Sequence, residues 1–129
     1  MINYFSKYNF IFYLSNFILV SLYLFPGSLL GCYLYDDCKL QPQITPDFII
    51  STNHLYAFLI LSAFGFLTYK KSSQLIFLSI YLIFLSISLE VMHYFIPERS
   101  FEFPDLFGNL AGVIIVIIIS FFLKKYEIY

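Results

Sequence analysis

Leu106-Phe107-Gly108-Asn109-Leu110-Ala111-Gly112-Val113-Ile114-Ile115-Val116-Ile117-Ile118-Ile119-Ser120-Phe121-Phe122-Leu123 contains no acid and no base. At about 1.5 Å rise per residue, a helix over this stretch is about 27 Å long, close to the hydrocarbon thickness of a bilayer. Its centre, from Val113 to Ile119, is apolar at every position and lacks the period-two alternation of a barrel strand. β-Branched residues lower helix propensity in water. In hydrocarbon an unpaired peptide group costs several kcal/mol, and a helix satisfies all of them within one segment. The stretch reads as a membrane-spanning helix.

Working outward, three more runs of about 20 residues carry few or no charges: 9–30, 48–69 and 74–96. With 106–123 they predict an all-α, polytopic four-helix transmembrane bundle, one domain over residues 1–129. Composition agrees, with 60% apolar and 12% charged residues and a mean hydropathy of +0.83. A small soluble domain hides only about 60–70% of its chain surface, so the apolar excess would face water as one patch. Net charge is −1. With no long basic run, a nucleic-acid partner is excluded, and the expected partner is the lipid bilayer.

Basic residues in short loops stay in the cytoplasm. Lys7, Lys70, Lys71, Lys124 and Lys125 fall on one side of the predicted layout, and Asp36, Asp37, Asp47, Glu98, Glu102 and Asp105 on the other. This predicts a multi-pass protein of the cell membrane with both termini cytoplasmic and loops 31–47 and 97–105 outside. The first outer loop holds both cysteines, Cys32 and Cys38, in a compartment where thiols oxidise. A local disulfide and two unrelated thiols both fit the spacing. A lipoprotein signal ending in Leu29-Leu30-Gly31-Cys32 is a further alternative, weakened by a long apolar run and a bulky Leu30.

Ionisable groups inside a span cost on the order of 2.5–3.5 kcal/mol at its centre, so they are expected to have partners. Glu90 and His93 are three apart on one face of the third span, about one to two turns from Pro97. His54 lies at similar depth in the second span. Asp105 and Asn109, four apart, share a face at the same end of the fourth. With Arg99 in the adjoining loop, these six residues make one candidate polar layer. Gly108 and Gly112 have the small-residue spacing that lets membrane helices approach closely.

The segment Leu89-Glu90-Val91-Met92-His93-Tyr94-Phe95-Ile96-Pro97-Glu98-Arg99-Ser100, continuing into Asp105-Leu106-Phe107-Gly108-Asn109-Leu110-Ala111-Gly112, resembles the VanZ-like membrane proteins. Phe25-Pro26-Gly27 and the His54 segment extend the resemblance over about 25–112. The chain departs from the family in having His93 where the family has Gln, and Ile50 and Ser51 where it has an Asp-Lys pair. The resemblance implies a compact multi-helix membrane protein. The family takes its name from a protein associated with low-level resistance to teicoplanin.

Three functional readings follow. The polar layer can bind a lipid headgroup, a cell-wall precursor or a lipophilic glycopeptide at the outer leaflet, with Arg99 on an anionic group. It can belong to a membrane-embedded enzyme acting on a lipid or cell-wall precursor, since Glu90-Val91-Met92-His93 has the Glu-x-x-His spacing of helical-bundle metal sites, with His54 and Asp105 available to complete a shell. Such sites usually use the motif twice, so Glu90 and His93 are weak metal candidates and no cofactor is expected. The layer can also be structural, pairing Glu90 with Arg99 or His54 and Asp105 with Asn109. No role is expected for Ser62, Ser79, Ser86 or Ser88, and Tyr4, Tyr8, Tyr69, Tyr94, Tyr126 and Tyr129 suit an interfacial belt.

Overall fold

The computed structural model describes residues 2–69 and 72–125, with side chains over 9–69 and 73–123. The described chain is helical, without strands: α1 (Ile2–Leu24), α2 (Leu29–Tyr35), α3 (Thr52–Thr68), α4 (Ser72–Met92) and α5 (Phe103–Lys125). Two stretches, Ser73–Met92 and Phe103–Leu123, are long and apolar enough to cross a bilayer. Asn9–Leu24 and Leu29–Tyr35 add a third if taken as one broken span, though they meet at 84°. α3 is apolar but has 17 residues, about 26 Å of helix.

Each predicted span is corrected at its polar-layer end. The run 9–30 is broken because Pro26 has no amide hydrogen and disfavours the helical region for Phe25 before it. α1 therefore stops at Leu24, and Gly27 takes φ 86. Ser28 starts α2, its Oγ accepting from Gly31 N at 2.9 Å. A Cys32–Cys38 disulfide, with Ser28 N donating to Cys38 O at 2.7 Å, folds the following turn back on α2.

The run 48–69 is helical only from Thr52, because the helix start is capped from outside. Asp47 Oδ1 accepts from Thr52 N at 2.9 Å, from Thr52 Oγ1 at 3.1 Å and from Gln43 Nε2 at 2.8 Å. These bonds, the Thr52 amide foremost, hold the Asp47 carboxyl below its ordinary range. A carboxyl lowered on folding adds stability above its unfolded pKa of about 3.9, lost as pH falls through that value toward the folded one. In detergent melts, the advantage of wild type over Asp47→Asn should hold near neutral pH and shrink below about pH 4. A difference that ignored pH would contradict the cap.

The run 74–96 becomes α4, which ends at Met92. His93 N, Tyr94 N and Phe95 N donate to Glu90 O, Val91 O and Met92 O. These three-residue steps tighten the chain ahead of Pro97. The run 106–123 lies inside α5, which begins earlier at Phe103. Pro104 is tolerated in a first turn, where its missing amide has no helical acceptor.

Polar and apolar residues are distributed opposite to a soluble protein. Phe77, Phe84 and Phe121 are 74%, 69% and 66% exposed, whereas Glu90 and Asn109 are 0% exposed. An apolar surrounding favours that order. α3 packs between α1 and α5, with Phe58, Leu61, Leu82 and Val113 in the core. At one end Tyr13 and Tyr69 hydroxyls pair at 2.9 Å and Tyr81 Oη donates to Asn16 Oδ1 at 2.7 Å. At the other end the C-termini of α1 and α4 meet the N-termini of α3 and α5. Lys70 and Lys71, the side chains of Lys7, Lys124 and Lys125, and those of Tyr4, Tyr8, Tyr126 and Tyr129 lie outside the described residues.

Candidate functional site

Close helix approach builds the site. A Cβ on Gly108 would lie 2.5 Å from Ser51 O, and one on Gly112 would lie 2.7 Å from Leu55 O and 2.8 Å from Leu59 N. Only glycine lets α5 run this near the backbone of α3, and the approach carries Asn109 to the middle of the layer. Asn109 Nδ2 donates to Ser86 O on α4 at 3.0 Å, which fixes the amide's orientation. Its Oδ1 therefore accepts, from Tyr23 Oη at 2.7 Å and from His54 Nδ1 at 3.0 Å. One amide joins all four long helices.

The network also assigns the imidazole hydrogens. His54 Nδ1 bears the hydrogen given to Asn109 and lies 3.1 Å from Tyr23 Oη. In the neutral ring Nε2 then keeps a lone pair, 3.7 Å from Asp105 Oδ2. His93 is committed elsewhere. Its Nε2 donates to the Tyr23 carbonyl at 2.8 Å, and its ring stacks on Tyr23 with centroids 5.5 Å apart.

Glu90 is buried and only half satisfied. Oε1 accepts from Glu102 N at 3.2 Å. Oε2 has no hydrogen-bond partner, although His93 Nδ1 lies 3.3 Å away and His54 Nδ1 3.8 Å away. Arg99 does not pair with Glu90. Its Nε and Nη2 donate to Phe25 O at 3.1 Å and Leu22 O at 2.8 Å, satisfying carbonyls at the end of α1. Burial lowers the Arg99 pKa, opposed by Tyr23, Glu90 and Asp105. Asp105, in the first turn of α5, lies 3.7 Å from His54 Nε2, while Asn109 bonds Tyr23, His54 and Ser86 in place of the expected pairing with Asp105.

Five of the six predicted residues, His54, Glu90, His93, Asp105 and Asn109, thus share one cluster, and Arg99 flanks it from the α1 side. Tyr23 belongs with them and was not singled out in the sequence, where it is one of 12 tyrosines. Its usable signal is position, one turn ahead of the Pro26 break and at the depth of His54.

A cavity of about 250 Å³ opens beside the cluster. Tyr23, His54 and Arg99 contribute polar groups to its lining along with Ser28, Gln41, Asn53 and Tyr56, while Leu22, Leu30 and Ile60 line it with hydrocarbon. The loop before α3 contributes Pro42 and Ile44 and is tied down by Asn53, which donates to Pro42 O at 2.6 Å and accepts from Ile44 N at 3.1 Å. A second groove of about 250 Å³ runs between α1 and α3, past Ile18, Leu19 and Leu61, and shares Leu22, Tyr23, Ala57 and Ile60 with the first. A larger cavity of about 460 Å³ lies at the opposite end, among Phe12, Tyr13, Tyr69 and Phe77. It contains none of the clustered ionisable groups, so the smaller one is the better candidate. Comparison of the chain with protein-family models, curated proteins and solved structures finds no match.

Proposed function

We propose that this protein is a VanZ-like integral membrane protein that crosses the bilayer four times, with both termini cytoplasmic. Its polar layer binds the anionic headgroup of a lipophilic envelope molecule at the outer leaflet, modulating the envelope or tolerance to glycopeptides of the teicoplanin type. The observation that carries this reading is the mainly apolar cavity with Tyr23, His54 and Arg99 in its wall, which shares lining residues with the apolar groove between α1 and α3. A headgroup fits against Tyr23, His54 and Arg99, and an acyl chain fits along Ile18, Leu19 and Leu61. Arg99 has donors left after its two carbonyl bonds, so it can contact an anion without leaving its place. The four crossings are supported by α3, which returns the chain between α1 and α5 alongside a helix long enough to span.

The test is glycopeptide tolerance in cells expressing variants, with folded protein quantified in parallel. Arg99→Gln and His54→Gln chains that accumulate as wild type does should lose most of the tolerance conferred. Full tolerance with either variant would overturn the reading. Direct binding of a teicoplanin-type glycopeptide, an anionic phospholipid and a lipid-linked cell-wall precursor to purified protein then distinguishes the three sources of the headgroup.

A further inference from the structure

We propose that His54, Glu90 and Asp105 form a site for one divalent transition-metal ion, zinc or manganese. This deepens the headgroup-binding reading and rests on it for its role, but its geometry stands apart. One nitrogen of His54 and one oxygen each of Glu90 and Asp105 lie within 4.8 Å of one another. His54 Nδ1 is engaged by Asn109 Oδ1 at 3.0 Å, so Nε2 is the nitrogen free to ligate. A hydrogen bond from the far ring nitrogen is how ligating histidines are held in orientation.

Glu90 gives the independent sign of a missing partner. Its side chain is fully buried and Oε2 accepts no hydrogen bond, lying 3.8 Å from His54 Nδ1, on the side of the ring turned to Asn109, so the ring must turn or the carboxylate swing for Nε2 and Oε2 to share an ion. An ionised carboxylate in such a place is costly unless it is paired or bound to a metal. Arg99 spends its bonds on Leu22 O and Phe25 O, and His93, whose Nδ1 lies 3.3 Å from Oε2, gives its Nε2 hydrogen to the Tyr23 carbonyl and makes no hydrogen bond to the carboxylate. A doubly charged cation balances Glu90 and Asp105 together.

The donor set selects the ion. One imidazole and two carboxylates suit zinc or manganese, whereas calcium takes six to eight oxygens and copper(I) prefers sulfur. Both cysteines are joined in the Cys32–Cys38 disulfide and offer no thiolate. At bond lengths of about 2.1 Å, tetrahedral ligands sit about 3.4 Å apart. The 3.7 Å from His54 Nε2 to Asp105 Oδ2 needs only a small closure to reach this, whereas the set as a whole, spread over up to 4.8 Å, must draw in by as much as about 1.4 Å. Three protein ligands leave a fourth position open. Because His54 also lines the cavity, that position suits an oxygen of the headgroup. His93, spaced from Glu90 like a ligand, serves instead as a brace, with Nε2 on the Tyr23 carbonyl.

The experiment uses full-length protein in detergent, stripped with a chelator and equilibrated with zinc chloride. One zinc per chain is expected, and His54→Gln and Asp105→Asn should each weaken binding at least about tenfold, the scale on which even outer contacts of metal sites matter. Asp47→Asn, outside the cluster, should bind as wild type does. Zinc-edge X-ray absorption of the wild type should show one imidazole, oxygen ligands and no sulfur, which decides the matter even if a variant fails to fold. No stoichiometric zinc, a sulfur ligand, a second imidazole, or undiminished binding by either ligand variant would overturn the proposal. Amphiphile binding that is equally tight with zinc or with chelator also sinks the metal site while leaving the headgroup reading intact. One zinc per chain without any amphiphile binding sinks the headgroup reading alone.

Discussion

Asn109→Leu is expected to lower the stability of the protein in detergent by at least about 3 kcal/mol, the largest loss from any single substitution in the layer. Leucine nearly matches asparagine in size but neither donates nor accepts. Three buried groups on three helices lose their partner: Tyr23 Oη, His54 Nδ1 and Ser86 O. Polar contacts in membrane bundles average about 0.6 kcal/mol each, which would sum to about 2. That average includes pairs that find substitutes, and leaving a buried group unpaired costs about 1–3 kcal/mol. Asn109 is 0% exposed, so water does not replace it; Tyr23 Oη and His54 Nδ1, 3.1 Å apart, can turn only to each other, and that one bond does not replace the three lost. Equal melting of Asn109→Leu and wild type would refute this role.

Gly112→Ala is expected to destabilise by about 1–3 kcal/mol, and Gly112→Leu by more, because the added atoms meet backbone. A Cβ there would lie 2.7 Å from Leu55 O, 2.8 Å from Leu59 N and 3.0 Å from Phe58 Cβ. Main-chain atoms of a helix cannot rotate aside, so α3 and α5 must separate. Separation also lengthens the 3.0 Å bond from His54 to Asn109, and site function should fall with stability. Gly65 supplies the contrast. A Cβ there meets the ends of the Leu78 and Phe12 side chains at 3.0 Å, which can shift. Gly65→Ala should therefore be milder in thermal melts, and equal losses at the two positions would contradict the argument.

What could be read from the sequence follows the range of the interactions. Helical period alone sets Glu90 and His93 on one face, and they lie 3.3 Å apart. Small-residue spacing drew attention to Gly108 and Gly112, which face the α3 backbone. Hydropathy located the apolar runs but could not end them. It carried the first run through Pro26, whose local chemistry turns α2 away at 84°, and began the second four residues before the cap set by Asp47. Long-range choices were out of reach. Nothing in the sequence tells Arg99 to take the carbonyls of Leu22 and Phe25 in preference to Glu90. Nor does spacing disclose that the carbonyl of Ser86 fixes an amide 23 positions along the chain.

The groove between α1 and α3 gives the pocket a side door. If the proposed headgroup binding holds, a molecule that enters past Ile18 and Leu61 would arrive from the hydrocarbon, already concentrated there by partitioning, without shedding water at the threshold. Binding strength measured against total aqueous concentration would then rise with tail length even when the headgroup contacts are unchanged. Bilayer composition would set the ligand supply as firmly as the pocket sets its choice.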